Sequence, residues 1–308
     1  MQRRTWQVFI VALTVAAAAL AADAPRPWHI MVTNDDGIDA PGLEAVVRAL
    51  AGDSGYRVTV VAPAENQSVA SNAHITRRDV ALRPHASIAG APAWSVDATP
   101  ASVARLGLTV VVADDRPDLV VAGINAGEND GLGAWTSGTV AAAREAVLSG
   151  IPGIALSLEL DWDDPRPDFD AAAAWCKPVI DAVRDHGLPP GVYLNVNVPR
   201  DTAAIRGYRL ARMNLAPPAV ARFEPVREEP GVRWFRSRWR PPTDAEPGTD
   251  SAALDAGWVA IAALGMDQTS YPAIPFLLTL APVEPQRPPR VEEKLQRAPH
   301  AGEEALSE

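Results

Sequence analysis

Residues 28–37 read "WHIMVTNDDG", and this stretch decides the fold class. Its first six residues, 28–33, are mostly apolar or β-favouring and predict a buried strand. The strand passes directly into Asn-Asp-Asp-Gly, so Asp35 and Asp36 stand side by side at its carboxyl end. Neighbouring aspartates repel each other unless a cation or a proton lies between them or they point apart. Taken alone, the pair fits either a helix cap with a turn or a bound ion.

Strand and helix patterns alternate after this stretch. Apolar runs predict further buried strands at 56–63, 117–125, 151–160 and 192–199, and helical spacing predicts helices at 40–50, 100–112, 137–150 and 169–187. Strands that are apolar on both faces and alternate with helices are typical of a parallel sheet covered on both sides. We therefore predict an α/β fold, a three-layer α/β/α Rossmann-like doubly wound sheet. Pro178 falls inside the last helix and is expected to kink it.

Residues 206–248 interrupt this alternation. They hold several prolines and the run "VRWFRSRW" at 232–239, whose alternation predicts an extended, exposed β-hairpin outside the sheet. We interpret this excursion as a contact between subunits. The sequence "TDSAALDAGWVAIAAL" at 249–264 then returns to a helix pattern followed by a strand pattern.

Composition and charge limit the classes of function. The chain has 308 residues, 47% of them apolar, so it can bury a large core. Its formal charge of −10 makes it a poor candidate for sequence-independent nucleic-acid binding, which needs clustered Lys and Arg side chains. The single cysteine, Cys176, excludes an intrachain disulfide, and the histidines show no zinc-binding spacing.

Both ends of the chain are predicted to lie outside the folded domain. Residues 1–21 begin with an arginine pair, continue as a short apolar stretch and end in Ala-Leu-Ala, the layout of a cleaved signal peptide. The alternative is a retained anchor, but a membrane span needs roughly 20 apolar residues. We expect export to the periplasm and no stable membrane association after cleavage. Residues 283–308, rich in Pro, Glu and Arg, are predicted to be a disordered tail, which leaves 28–282 as one domain.

Oxygen-bearing side chains follow three of the predicted strands. Asp35 and Asp36 follow the first, Ser68 lies beyond the second, and Asn125 ends the third. Because ligands of open α/β sheets bind beyond the carboxyl ends of the strands, we expect these side chains to meet. An all-oxygen donor set favours a hard divalent cation such as Mg²⁺ or Mn²⁺ over zinc or copper. We therefore predict one cation per subunit at this edge.

The run "TSGTVAAAREAV" at 136–147 opens the next helix with Ser137, Gly138 and Thr139. Free backbone N–H groups at a helix start bind anions, and a glycine lets the backbone approach one closely. An ordinary Ser/Thr cap explains the same residues. Beside a cation site, however, a phosphate is the better interpretation. A dinucleotide-binding fold is excluded because the first strand leads into "NDDG" and not into G-x-G-x-x-G.

Seven motifs of the chain resemble one known family, the SurE family of metal-dependent 5′-nucleotidases. They run in order over about residues 29–265: "IMVTNDDGIDAPGLEAV", "VTVVAPAENQS", "PDLVVAGINAGEN", "SGTVAAAREAV", "IPGIALS", "LNVNVP" and "TDSAALDAGWVAI". The resemblance implies a Rossmann-like core with an extended hairpin and a C-terminal exchange that build homodimers or homotetramers. It also implies hydrolysis of nucleoside 5′-monophosphates, with tolerance for other phosphate esters.

The resemblance also assigns site residues. The family's metal ligands correspond to Asp35, Asp36, Ser68 and Asn125, and its phosphate- and substrate-binding residues correspond to Asn129, Ser137, Gly138 and Thr139. The two aspartates are also the predicted catalytic residues. Either one of them accepts a proton from an attacking water, or an aspartate attacks phosphorus and forms an aspartyl-phosphate. The competing hypothesis is an exported protein that binds phosphorylated ligands without turnover.

Two positions depart from the family's pattern. Ala101 stands where the family usually has Asp or Cys, on the expected substrate side. His74 lies in a stretch after Ser68 that is one residue longer than usual. A histidine there either approaches the pocket or is a loop residue with no task in the chemistry.

Overall fold

The computed structural model of the protein describes residues 26–161, 163, 166–216, 219–240 and 245–277. The predicted signal peptide, 1–21, and the predicted tail, 283–308, lie outside these residues. Within the described part of the chain, no helix is long and apolar enough to cross a membrane.

Two sheets are present among the described residues. The strands of the larger, nine-stranded sheet are β1 (Trp28–Thr33), β2 (Tyr56–Pro63), β3 (Leu82–Ile88), β4 (Ala91–Val96), β5 (Leu119–Ala126), β6 (Gly153–Leu158), β7 (Val192–Val198), β8 (Tyr208–Leu210) and β11 (Val259–Gly265). The strands β9 (Ala219–Glu229) and β10 (Val232–Arg240) pair antiparallel in a sheet of their own. This separate hairpin confirms the predicted excursion over 219–240, whereas β8, which also falls in the predicted interruption 206–248, belongs to the large sheet.

The strand order of the large sheet is β3-β4-β2-β1-β5-β6-β7-β11-β8. The five pairs from β4 to β7 are parallel, as predicted. The outer strands differ, because β3 runs antiparallel to β4 and β11 runs antiparallel to β7. The β3–β4 hairpin escaped prediction because β3 is half-exposed and lacks a continuous apolar run. A two-residue turn, Ala89 and Gly90, joins its strands with positive φ at both residues, the geometry that tight hairpins prefer.

The helices are α1 (Pro41–Ala51), α2 (Pro100–Leu106), α3 (Gly138–Leu148), α4 (Phe169–His186), α5 (Asp250–Asp255) and α6 (Ile274–Leu277). The predicted helix 100–112 is α2 continued by a π-helical turn, Gly107–Val111. Pro178 lies inside α4, and the helix continues past it to His186. Residues 249–264 form α5 and β11 in the predicted order.

The helices cover both faces of the sheet and confirm the three-layer architecture. Ile30 and Val32 of β1 pack in the core on the side of α1 and α4, while Met31 between them packs in the core on the side of α2. Strand β1 is therefore apolar at successive positions because both of its faces are buried.

The order of the strands reverses at β1. Strands β2 and β4 lie on one side of it, and β5, β6 and β7 lie on the other. In doubly wound sheets the connections leave such a point in opposite directions, which opens a crevice at the carboxyl ends of the two neighbouring strands. The segments after β1 and β5 therefore border this crevice.

Candidate active site

The turn after β1 is closed by its own asparagine. The Nδ2 group of Asn34 donates to the carbonyl of Gly37 at 2.7 Å, and the Gly37 N–H donates back to Asn34 Oδ1 at 3.3 Å. Gly37 has a φ of +110°, which side chains other than glycine rarely adopt. Its α-carbon also faces the backbone of Glu65, which a β-carbon would approach to 3.3 Å. This tight turn fixes the direction in which Asp35 and Asp36 leave the backbone.

Asp36 joins the segments that carry the two other predicted metal ligands. Its Oδ1 accepts a hydrogen bond from Asn66 Nδ2 at 3.3 Å, in the loop that contains Ser68. Its Oδ2 accepts a hydrogen bond from the backbone N–H of Ala126 at 3.0 Å, next to Asn125. A cavity of about 510 Å³ opens beside this carboxylate. The ends of β1, β2 and β5 therefore meet at Asp36, as the sequence predicted.

Asp35 points to the start of helix α3 and is 3% exposed. Its carboxylate accepts a hydrogen bond from the hydroxyl of Thr139, and the backbone N–H of Thr139 also faces it. A β-carbon on Gly138 would lie 2.8 Å from Asp35 Oδ2 and 2.9 Å from Pro100 Cγ. Only a glycine therefore allows the first turn of α3 to approach Asp35 this closely.

The electrostatics of the pair favour a cation. Burial, helped by the neighbouring Asp36 carboxylate and opposed by the Thr139 hydrogen bond, raises the pKa of Asp35 to about 6. Burial also raises the pKa of Asp36, and the Ala126 N–H opposes this. Among the described residues no Lys, Arg or His side chain compensates either carboxylate. A divalent cation would supply the missing positive charge.

The donor set also fits a hard cation. Within the described residues no group of three or more His, Cys, Asp and Glu side chains could hold a metal, and the remaining predicted donors, Asn125 and Ser68, carry neutral oxygens. Asn125 uses its Nδ2 to bond the carbonyl of Gly127 at 2.8 Å, which leaves Oδ1 as its donor atom. Ser68 is exposed, and the structure records no contact of its side chain with Asp35, Asp36 or Asn125. Its neighbour Gln67 donates its N–H to the Asp35 carbonyl at 2.7 Å, which ties the segment to the site.

The start of α3 is capped by Ser137. Its Oγ accepts a hydrogen bond from the Val140 N–H at 3.1 Å, an interaction that typically stabilises a helix by about 1 kcal/mol. The Ser137 hydroxyl therefore caps the helix, which is the simpler of the two interpretations of the motif. The backbone N–H of Gly138 belongs to the first turn, where no intrahelical partner exists. Of the predicted phosphate-side residues at this helix start, Gly138 and Thr139 lie directly against Asp35.

Asn129 lies on the loop between β5 and α3 but faces different partners. Its backbone N–H donates to Asn197 Oδ1 at 2.8 Å, and its side-chain Nδ2 donates to Ser157 Oγ at 2.9 Å. Asn195 Nδ2 donates to its carbonyl at 2.7 Å. Sequence reasoning did not single out these three partners. A signal was present, because asparagines at alternate positions inside the apolar strand "VYLNVNV" are unusual for a buried strand.

The two departures from the family's pattern lie at a loop contact with α3 and in the interior of α2. The imidazole Nε2 of His74 is 3.2 Å from Glu145 Oε2, a fully buried carboxylate that also binds Arg105 at 2.6 Å. Glu145 is seven residues beyond Gly138 on α3, or roughly 10 Å along the helix at 1.5 Å per residue. The loop of His74 therefore lies beside α3, away from the start of this helix. Ala101 is fully buried in α2, where it packs in the interior.

Comparisons with known proteins show what the whole chain is similar to. The family described as "Survival protein SurE" matches residues 30–217. The chain is 37% identical over 249 residues to a 5′-nucleotidase SurE of Desulfatibacillum aliphaticivorans, covering 79% of this chain and 94% of that protein. It is 39% identical over 250 residues to the 5′-nucleotidase SurE 1 of Thermus thermophilus, with the same two coverages. The crystal structure of the SurE protein from Aquifex aeolicus superposes with a TM-score of 0.69 at 31% identity, covering 82% of this chain and 99% of that one.

Proposed function

This chain belongs to the SurE family, and from that premise we propose that it is a metal-dependent phosphomonoesterase that hydrolyses nucleoside 5′-monophosphates. Two of its relatives bear the name 5′-nucleotidase SurE, which supports this substrate class. Tolerance for other phosphate esters is part of the proposal.

One observation carries the proposal: the buried Asp35 carboxylate lies directly against the start of helix α3, and no side-chain cation of the described residues lies beside it. A carboxylate at a helix start leaves room for an anion only if a cation or a proton offsets its charge. The two features together fit a phosphate bound through a divalent ion. We propose Mg²⁺ or Mn²⁺, one per subunit, held by Asp35, Asp36, Asn125 and the segment of Ser68.

The roles of the residues follow from this geometry. When bound, a divalent cation supplies positive charge against the phosphoryl oxygens and lowers the pKa of water. The Gly138 N–H, at the positive end of α3, holds a phosphoryl oxygen as charge develops on it. The water oxygen bonds to phosphorus while the bond from phosphorus to the ribose oxygen breaks. One of the two aspartates accepts the proton of the water, and the nucleoside oxygen takes a proton from solvent.

Direct attack by an aspartate is the alternative route, with an aspartyl-phosphate as intermediate. We favour water as the nucleophile because a carboxylate that holds a cation is a weaker nucleophile. A substrate chiral at phosphorus separates the routes. One displacement inverts the configuration, whereas two displacements retain it.

The function is tested by release of inorganic phosphate from AMP and p-nitrophenyl phosphate with Mg²⁺ or Mn²⁺. We expect turnover that stops in EDTA and returns when the cation is restored. Turnover that persists in metal-free buffer would contradict the proposed mechanism. Binding of AMP without any phosphate release would instead favour the exported binding protein.

Export and assembly complete the proposal. The layout of residues 1–21 supports cleavage and a mature protein that begins near Ala22. An exported protein with an intact N-terminus would contradict this. The β9–β10 hairpin exposes Phe223, Trp234 and Phe235, at 71%, 45% and 47%, which supports a role in building a homodimer or homotetramer. Light scattering on the mature protein gives the subunit number, and a monomer at working concentration would contradict the assembly.

A further inference from the structure

The loop between β5 and α3 connects the proposed cation side of the site to its phosphate side. Asn125 lies in β5 just before this loop, Ser137 lies at the end of the loop, and Asn129 lies between them. The loop has little regular structure of its own apart from the single 3₁₀ segment Gly131–Trp135. Its shape therefore depends on contacts with other elements.

Three side chains from β6 and β7 hold Asn129. Asn197 and Asn195 bind the two polar groups of its backbone, and Ser157 binds its side-chain amide, all within 2.7–2.9 Å. These partners are between 0% and 1% exposed, so water does not compete for the bonds. Asn129 is thus fixed in its backbone position and in the orientation of its amide.

The pairing also fixes the orientation of the two strand asparagines. Asn197 must present its Oδ1 to the N–H of Asn129, and Asn195 must present its Nδ2 to the carbonyl. Their remaining atoms, Asn195 Oδ1 and Asn197 Nδ2, are buried without a hydrogen-bond partner in the described part of the chain. An unpaired buried polar atom costs about 1–3 kcal/mol. A scaffold with no use for these amides would be more stable with apolar side chains.

The position of these residues in the sheet points to the active site. In the strand register, Asn125 of β5 lies beside Ser157 of β6, which lies beside Asn197 of β7. The row of polar side chains is therefore at the level of the proposed metal ligand Asn125. Closer to the amino ends of β6 and β7, Ile154 and Leu194 pair in the same register and are apolar.

We propose that Ser157, Asn195 and Asn197 are positioning residues that hold Asn129 against the phosphate group of the substrate. This inference rests on the proposed function, because it assigns a task to neighbours of a substrate-binding residue. Ser157 restrains the side chain of Asn129, and the two asparagines restrain its backbone. None of the three touches the reacting atoms, so each acts only through Asn129.

A double-mutant cycle between Ser157 and Asn129 tests this directly. Ser157→Ala should lower kcat/KM for p-nitrophenyl phosphate by about tenfold, mainly through KM, because a freed amide binds phosphate less well. In an Asn129→Ala background, Ser157→Ala should have no further effect. Equal effects in both backgrounds, or parent kinetics in Ser157→Ala, would overturn the proposal.

A matched control separates positioning from general stability. The Thr59 hydroxyl and His29 Nε2 form another buried hydrogen bond of 2.9 Å, in β1 and β2 on the amino side of the site. Thr59→Val removes that bond and should lower Tm while leaving kcat/KM at the parent value. A loss of kcat/KM in Thr59→Val as large as in Ser157→Ala would show that the kinetic change reports stability alone, and would also overturn the proposal.

The same variants distinguish failure of this inference from failure of the proposed function. If the parent protein releases no phosphate in Mn²⁺, the proposed function fails. The cycle is then measured on the affinity for inorganic phosphate by calorimetry in the same buffer. Loss of affinity in Ser157→Ala that disappears in the Asn129→Ala background supports the positioning role. Unchanged or additive affinities overturn it.

Discussion

The candidate site has two halves, which differ in how their buried polar groups are compensated. The charged half consists of Asp35 and Asp36 at the end of β1, where burial raises both pKa values and no side-chain cation is present among the described residues. The amide half consists of Asn129 and its partners Ser157, Asn195 and Asn197, where neutral groups bond one another and only one amide atom of each strand asparagine stays unpaired among the described residues. The charged half is therefore incomplete without a ligand, whereas the amide half is largely complete within the protein.

This difference assigns different tasks to the two halves. A buried charge interacts strongly with a phosphoryl group, because few water molecules are present to screen the interaction. Neutral amides interact less strongly with a phosphoryl group, but they hold a loop in place without burying a charge. Substitutions in the charged half should therefore abolish turnover, and substitutions in the amide half should weaken it.

The largest effect is expected for Asp36→Asn. This change keeps the shape of the side chain but removes one negative charge from the proposed cation site. We expect turnover to fall about 1,000-fold or more, which corresponds to roughly 4 kcal/mol in the transition state. Phosphate release from AMP in Mn²⁺ measures it.

Asp39→Asn is the matched control for this loss. Asp39 lies three residues further along the same segment, is 83% exposed at its side chain and pairs with His85. It should keep the parent rate, since it lies outside the cation site. Parent activity in Asp36→Asn would show that the charged half has no part in catalysis.

A smaller effect is expected for Gly138→Ala. The added methyl group would lie 2.8 Å from Asp35 and must push the first turn of α3 away from the carboxylate. A displacement of about 1 Å can cost about 100-fold in rate, so we expect a loss of that size in kcat/KM. Gly133→Ala, in the same loop with open space around its α-carbon, should leave kcat/KM unchanged. Equal kinetics in the two variants would refute the close approach.

The smallest effect concerns stability and pH at Asp130, which follows Asn129 in the chain beside the amide half. Burial raises the pKa of Asp130 to about 6 in the folded protein, from 3.8 for the unperturbed group. The folded state thus binds the proton more tightly, and stability is lost as pH rises from about 4 through 6. Asp130→Asn should therefore raise the free energy of unfolding at pH 7 by about 2 kcal/mol.

Urea unfolding at several pH values measures this gain. It should shrink as pH falls and vanish below about pH 4, where Asp130 is protonated in both states. A gain that stays constant across this range would mean that the charge of Asp130 does not oppose folding. Asp39→Asn again serves as the exposed control and should change stability little at any of these pH values.

The layers and most of the elements could be predicted from the sequence, because a strand that is buried on both faces appears there as a continuous apolar run. Runs such as "VVAGIN" and the helical spacing in 40–50 involve only residues that are close together in the chain, so they are visible in the sequence. The β3–β4 hairpin left no such record, since half of its surface is exposed. The antiparallel direction of β11 also could not be predicted from the sequence. A strand's direction depends on the neighbour with which it pairs, and that neighbour lies far away in the chain.

The candidate site divides in the same way. Local sequence determined the turn at Asp35 and Asp36 and the capped start of α3, since each depends on residues within a few positions of one another. Only the tertiary structure decided that Thr139 bonds Asp35, that Asp36 joins the loops of Asn66 and Ala126, and that two strand asparagines hold Asn129. These contacts join residues far apart in the chain, and only the pairing and order of the strands bring such residues together.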